Sequence, residues 1–122
     1  MRLLVAGGRE YGDRDFLFLS LDRVHAKCGV TCIIHGGARG ADTMAGQWAY
    51  ARGVLAQVFP ITPEEWKRLG HMAGPMRNDR MLREGKPDGV VVFSGGGGTA
   101  DMARRTMLAG VPLWDLRPRA QR

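Results

Sequence analysis

Short runs of apolar residues alternate along the chain with longer stretches in which apolar side chains recur every three to four positions. The first pattern reads as strand and the second as helix. Leu3-Leu4-Val5-Ala6 is continuously apolar, as a strand covered on both faces should be. From an Asp13 cap to about Cys28, the residues Leu17, Leu21, Val24 and Cys28 fall on one helical stripe. Val30 to His35 is the next predicted strand. A helix is expected from about Ala41 to Arg52, ended by Gly53, with Met44, Trp48 and Ala51 turned to the sheet. Val54 to Phe59 reads as a third strand. Thr62-Pro63-Glu64-Glu65 opens a short helix reaching Leu69, with Thr62 as cap and Glu65 closing a capping box. A second short helix is expected over Met76 to Arg83. Gly89 to Phe93 is the most β-like stretch, Thr99 to about Leu108 a helix, and Val111 to Leu116 a last strand.

Strands alternating with helices predict an α/β protein, a Rossmann-like three-layer α/β/α fold with a parallel sheet of about five strands. Right-handed crossovers make 3-2-1-4-5 the simplest strand order. With 122 residues the chain has the size of one domain. Residues 1–116 are expected to form it, and Arg117 to Arg122 a basic, solvated C-terminal tail.

Glycine is the compositional outlier. The 18 glycines are about twice the usual share of roughly 7%. They gather at Gly7-Gly8, at Gly36-Gly37 with Gly40, and at Gly95 through Gly98. Each cluster follows a predicted strand and precedes a predicted helix, at the carboxyl edge of the sheet. In the proposed order, Gly7-Gly8 and Gly95–Gly98 face each other across the topological switch point. Helix-initiating amides there are unpaired and the helix dipole adds partial positive charge, so such loops hold phosphate or carboxylate. Neither G-x-G-x-x-G nor G-x-x-x-x-G-K-[ST] occurs, which argues against a P-loop kinase or ATPase.

Side chains near that edge supply further candidates. Arg9 can pair with a phosphate or stack on a base, and Tyr11 can stack on a base or pack against its loop. Asp42 suits a ribose hydroxyl or the first turn of its helix. His35 reads as a satisfied core histidine. The segment Gly74-Pro75-Met76-Arg77-Asn78-Asp79-Arg80-Met81 is too polar for a purely packing helix, which marks Arg77 and Asn78. Trp48, Trp66 and Phe93 are expected in the core, so no aromatic platform for single-stranded nucleic acid is predicted.

The net charge of +6 suggests anionic partners. No apolar run approaches the roughly 20 residues of a membrane span, and the N-terminus is too short for a signal peptide. A cytoplasmic location is the resulting expectation. Cys28 and Cys32 are expected as buried free thiols, and no metal site or cofactor is predicted.

Four segments together resemble a known family: Val5-Ala6-Gly7-Gly8-Arg9 with Tyr11, His35 through Asp42, Gly74 through Asn78, and Ser94 through Thr99. They look like the YspA-like (cpYpsA-related) family of the SLOG superfamily. The resemblance implies a Rossmann-like fold and a pocket for nucleotides or nucleotide-derived ligands. Members of that superfamily serve as ligand sensors, nucleotide-processing enzymes or DNA-binding proteins. Phosphoribohydrolases of the Lonely-guy type carry R-K-x-x-M and P-G-G-x-G-T-x-x-E. Here Arg77 and Met81 match the first with Asn78 in place of Lys. Gly95, Gly96, Gly98 and Thr99 match the second, but Ser94 replaces Pro and Met102 replaces the catalytic Glu. A thioether cannot stabilise the positive charge that builds on the sugar as an N-glycosidic bond breaks. The DNA-processing protein A family, which binds single-stranded DNA, carries a similar Arg-Asn pair.

The reading is therefore a sensor or ligand-binding protein for a nucleotide or nucleotide-derived molecule. Its ligand-binding residues are Gly7, Gly8, Arg9, Tyr11, Gly36, Gly37, Ala38, Gly40, Ala41, Asp42, Arg77, Asn78, Gly95, Gly96, Gly97, Gly98 and Thr99. Phosphates are assigned to Gly36-Gly37, Gly40 and the Gly95–Thr99 loop. One alternative is a phosphoribohydrolase-like nucleotide hydrolase using Arg77 and a displaced acid, Asp101. Another is a single-stranded nucleic-acid binder. A homodimer is expected from the resemblance.

Overall fold

A computed structural model describes residues 1–122. Five strands alternate with five helices: β1 (Arg2–Ala6), α1 (Arg14–Cys28), β2 (Cys32–His35), α2 (Ala41–Arg52), β3 (Leu55–Val58), α3 (Pro63–Leu69), α4 (Ala73–Gly85), β4 (Gly89–Val92), α5 (Gly97–Leu108) and β5 (Leu113–Asp115). All pairings are parallel and the strand order is β3-β2-β1-β4-β5, as the alternation predicts. This is the Rossmann-like α/β fold, and it places β1 and β4 side by side at the centre.

Alternate residues of the central strands feed two cores, as a parallel sheet covered on both faces requires. Leu3, Val5, Ile33 and Val91 pack with Leu17 and Leu21 of α1 and Trp48 of α2. Leu4, Ile34, Val90 and Val92 pack with Met81 of α4 and Met102 of α5. The caps read from the sequence are in place. The Asp13 side chain accepts from Phe16 N–H, and Thr62 and Glu65 close a capping box. No helix is long and apolar enough to cross a membrane.

Several local expectations change. Helix α4 begins at Ala73 rather than Met76, after a 3-10 turn over Gly70–Met72. Pro75 is tolerated in its first turn because an N–H there has no intrahelical partner to lose. Helix α5 begins at Gly97, so two of the four consecutive glycines are helical. On α2, Ala51 is exposed, and Ala45 and Ala49 face the sheet beside Trp48. Both cysteines are free, and Cys32 is buried as expected; Cys28, the last residue of α1, is exposed. The C-terminal residues dock onto the domain. Arg117 is buried and donates to both carboxylate oxygens of Asp115 at 2.9 and 2.8 Å. Gln121 donates to Ser94 Oγ at 2.9 Å and accepts from Gly95 N–H at 3.0 Å.

Candidate functional site

The exits of β1 and β4 flank a cavity of about 430 Å³ at the carboxyl edge of the sheet. A second cavity of about 230 Å³ adjoins it, and Arg9, Ala38, Trp66 and Arg77 line both. The three glycine clusters do converge on this edge, but they do different jobs.

One group of glycines permits packing. A Cβ on Gly7 would stand 2.5 Å from Ala41 Cβ, and one on Gly8 2.9 Å from Gly95 Cα. A Cβ on Gly40 would meet Arg9 O at 2.6 Å, and its φ of +81° disfavours other residues as well. Gly36 faces Asp42, with 2.9 Å between its notional Cβ and Asp42 Oδ2. These positions bring β1, β2, β4 and α2 into contact at their ends.

Gly96, Gly97 and Gly98 are different. None has positive φ, and a Cβ on any of them would find no atom within 4 Å. Gly96 serves as the N-cap, a place that suits glycine, but at Gly97 and Gly98 no positive φ or packing asks for it, and a glycine inside a helix costs about 0.5–1 kcal/mol relative to alanine. What remains for glycine to provide is room beside bare backbone, over the first turn of α5.

The amides divide the same way. In the second turn, Gly36 and Ala38 N–H donate to Asp42 Oδ2 at 3.1 and 3.3 Å, and Gly37 N–H to His35 Nδ1 at 3.0 Å. Ala41 N–H donates to Gly8 O at 3.2 Å. The Gly36, Gly37, Ala38 and Ala41 amides are thus met by the protein's own acceptors, while Gly40 and Asp42 N–H have none. At the Gly36-Gly37 and Gly40 turn, where the sequence suggests phosphate, the Gly36 and Gly37 amides are therefore engaged and the Gly40 amide is not. Gly8 and Gly95 N–H are also occupied, by Ser94 O and Gln121 Oε1. By contrast, Gly97, Gly98 and Thr99 N–H have no partner in the protein, and no side chain caps α5. Gly98 and Thr99 line the larger cavity.

Arg77 and Asn78 sit on α4 opposite that first turn. Arg77 donates from Nη1 to Gly36 O at 2.8 Å, tying α4 to the end of β2. Burial pushes its guanidinium pKa down, partly offset by nearby Asp42, with Arg9 pushing the same way as burial. Asn78 is buried and donates from Nδ2 to Gly98 O and to Asp101 Oδ2, both at 3.1 Å. It holds the first turn of α5 in place and leaves the amides free.

Two carboxylates bear on acid chemistry here, and they stand differently: Asp101 lies off the cavity and Asp42 lines it. Asp101 does not line the cavity; it accepts from Asn78, from Arg104 at 2.6 Å and from Arg105 at 2.8 Å. Burial would raise its pKa, but these hydrogen bonds outweigh it and hold the carboxyl below its ordinary value. Asp101, the acid suggested by the sequence for the hydrolase alternative, is turned by α5 toward its own helix and α4. Met102, which stands where the Lonely-guy motif has Glu, is fully buried in the core. Asp42 lines the cavity, where burial pushes its pKa up and the Ala38 and Gly36 amides and Arg77 pull it back.

Two aromatic residues trade places. Tyr11, expected at the base, packs on Phe93 with ring centroids 5.4 Å apart. Its hydroxyl is buried without a partner, and burial, with Asp13 adding, pushes its pKa up to about 12. Trp66, expected in the core, is 41% exposed and lines both cavities, with the Arg9 guanidinium 5.4 Å from its ring centroid. The capping box at Thr62 was the legible signal: it starts a seven-residue helix that buries none of its residues. His71 of the following 3-10 turn also lines the larger cavity.

A family profile described as YspA, cpYpsA-related SLOG family matches residues 1–68 of the 122. The chain belongs to this SLOG family. It is also 36% identical over 119 residues to the gene 61 protein of Mycobacterium phage D29, covering 92% of this chain and 93% of the phage protein. Among solved structures, DNA processing protein A from Streptococcus pneumoniae superposes with a TM-score of 0.71 at 22% identity, over 93% of this chain. The chain spans 49% of that longer protein. The Moco carrier protein from Chlamydomonas reinhardtii superposes with a TM-score of 0.65 at 15% identity, over 98% of this chain and 78% of that one. At these identities the structural likenesses establish the fold.

Proposed function

We propose that this protein binds a nucleotide or nucleotide-derived ligand and acts as a sensor or ligand-binding protein. A phosphate sits on the free Gly97, Gly98 and Thr99 amides at the N-terminus of α5, and the base lies against Trp66 at the cavity mouth. Arg77 supplies the compensating charge. The observation that carries this reading is the run Gly96–Gly98: glycines with ordinary φ, open space beside them, and unpaired amides behind that space. A helix start so arranged is a ready anion site. The cavity walls offer an acceptor, Asp42, and an aromatic face suited to the rest of a nucleotide.

Hydrolysis is not part of the proposal. Asp101 is committed to three donors, and Met102 is in the core. The test is a thermal-shift screen against nucleoside monophosphates, with chromatography of the incubated mixtures. A ligand at 100 times its Kd adds about 2.7 kcal/mol, which in a domain of this size raises Tm on the order of 10 °C. A shift with intact nucleotide supports binding without turnover. Released base would replace the reading with a hydrolase, and no shift with any nucleotide would remove it.

The Arg9–Trp66 pair supports a second reading, a single-stranded nucleic-acid surface, because basic and stacking groups alternate on such surfaces. Oligonucleotide affinity that falls steeply with salt, without monophosphate binding, would favour it.

A further inference from the structure

The two adjoining cavities recognise anions by different means. In the larger one the donors are backbone amides, at the start of α5. In the smaller one the Gly36, Gly37 and Ala38 amides are already engaged, so the charged donors are guanidinium groups. Arg39 is paired there with Glu10. Arg9 and Arg77 have no carboxylate within ion-pair distance, and both stand in the wall shared by the two cavities.

Asp42 acts on both guanidinium groups from beyond ion-pair distance and offsets only part of their positive charge, so a bound anion adds to the neutralisation. Arg77 has spent Nη1 on Gly36 O and, more weakly, Phe59 O, and Nε on Asn78 Oδ1 at 3.4 Å. Its Nη2 has no acceptor in the protein and is not sealed from solvent. Arg9 has only the face of Trp66. Asn78 links the two devices, since it touches Arg77 on one side and Gly98 on the other. The amides and the guanidinium pair therefore lie next to each other along one path.

We infer that the ligand is a nucleotide carrying a diphosphate, with one phosphate on the α5 amides and the next between Arg9 and Arg77. This deepens the binding reading above and rests on it. A monophosphate fills one of the two devices; a diphosphate fills both, adding charge-assisted hydrogen bonds of the strongest ordinary kind.

The experiment measures calorimetric affinities of matched nucleoside monophosphates and diphosphates at one salt concentration, with adenosine 3′,5′-bisphosphate as a control for charge alone. The diphosphate should bind at least about tenfold tighter than its monophosphate, roughly 1.4 kcal/mol. Arg9→Gln, an exposed position that gives up only the Trp66 contact, should cut that ratio below about threefold while Tm stays within about 5 °C of wild type. Equal affinities for monophosphate and diphosphate would overturn this inference and leave the binding reading standing. So would a 3′,5′-bisphosphate that binds as tightly as the diphosphate. Absence of binding by every nucleotide would overturn both.

Discussion

Replacing Trp66 by alanine separates a binding aromatic from a packing one. Trp48 and Trp66 lie on helices that follow adjacent strands, yet Trp48 is fully buried and Trp66 is 41% exposed. Truncating a buried tryptophan costs about 3–5 kcal/mol, a large share of a small domain's stability of about 5–15 kcal/mol. Trp66 keeps 41% of its surface exposed, so Trp66→Ala forfeits only partial packing together with the Arg9 contact, which contributes about 0.5–1 kcal/mol at an exposed site. The expected loss in Tm is then under about 5 °C. Binding should suffer far more, because base stacking on an aromatic side chain contributes about 1–3 kcal/mol, or roughly 5- to 140-fold in Kd. The assay pairs a melting curve of the free variant with calorimetric titration of the tightest-binding nucleotide. A Tm loss typical of a core residue would show Trp66 to be structural. An unchanged Kd would remove the base from its ring, and either result refutes the reasoning.

Other expected outcomes follow from the same geometry. Gly98→Ala should stabilise the free protein by about 0.5–1 kcal/mol, since it adds a methyl to a helix where nothing lies within 4 Å, yet it should weaken nucleotide binding; urea melts and titrations should move in opposite directions, and a variant that binds as well as wild type contradicts the phosphate assignment. Asn78→Ala strips a donor from Gly98 O and Asp101 Oδ2, which should cost about 1–3 kcal/mol in urea unfolding; a loss under about 0.5 kcal/mol would mean that Asn78 does not anchor α5. His35 is held neutral by burial and, to a lesser degree, by Arg77, so its folded pKa lies below the ordinary 6.5. The unfolded chain binds this proton more readily, so stability is complete above pH 6.5 and declines as pH falls below it. Tm measured from pH 7.5 down to 5 should fall more for wild type than for His35→Gln; parallel curves would contradict the assignment.

Much of the scaffold was legible because its signals are local. Leu3–Ala6 and Gly89–Phe93 announce doubly covered strands, and Thr62 and Glu65 form the capping box that their spacing implies. The strand order followed from the handedness of crossovers, with no knowledge of contacts. The convergence of three glycine clusters on one edge was legible for the same reason: each lies between a strand and a helix.

What the glycines and aromatics do there was not legible. By composition Gly36-Gly37 and Gly97-Gly98 are equivalent pairs. The first pair's amides turn back onto acceptors a few residues away, Asp42 and His35, and the second pair's amides stay bare, a difference of local conformation that composition does not reveal. Trp66 has the sequence character of a core residue, and Asp101 that of a substitute acid. Their exposure and partners depend on how α3 is set at the cavity edge and on α4 reaching α5 through Asn78. Element type and order are fixed by neighbours a few residues apart, whose spacing the chain carries in itself. Which side chains reach the site depends on groups from distant segments, such as Gly36 and Arg77, 41 positions apart. Only the closed tertiary structure decides which of those groups meet.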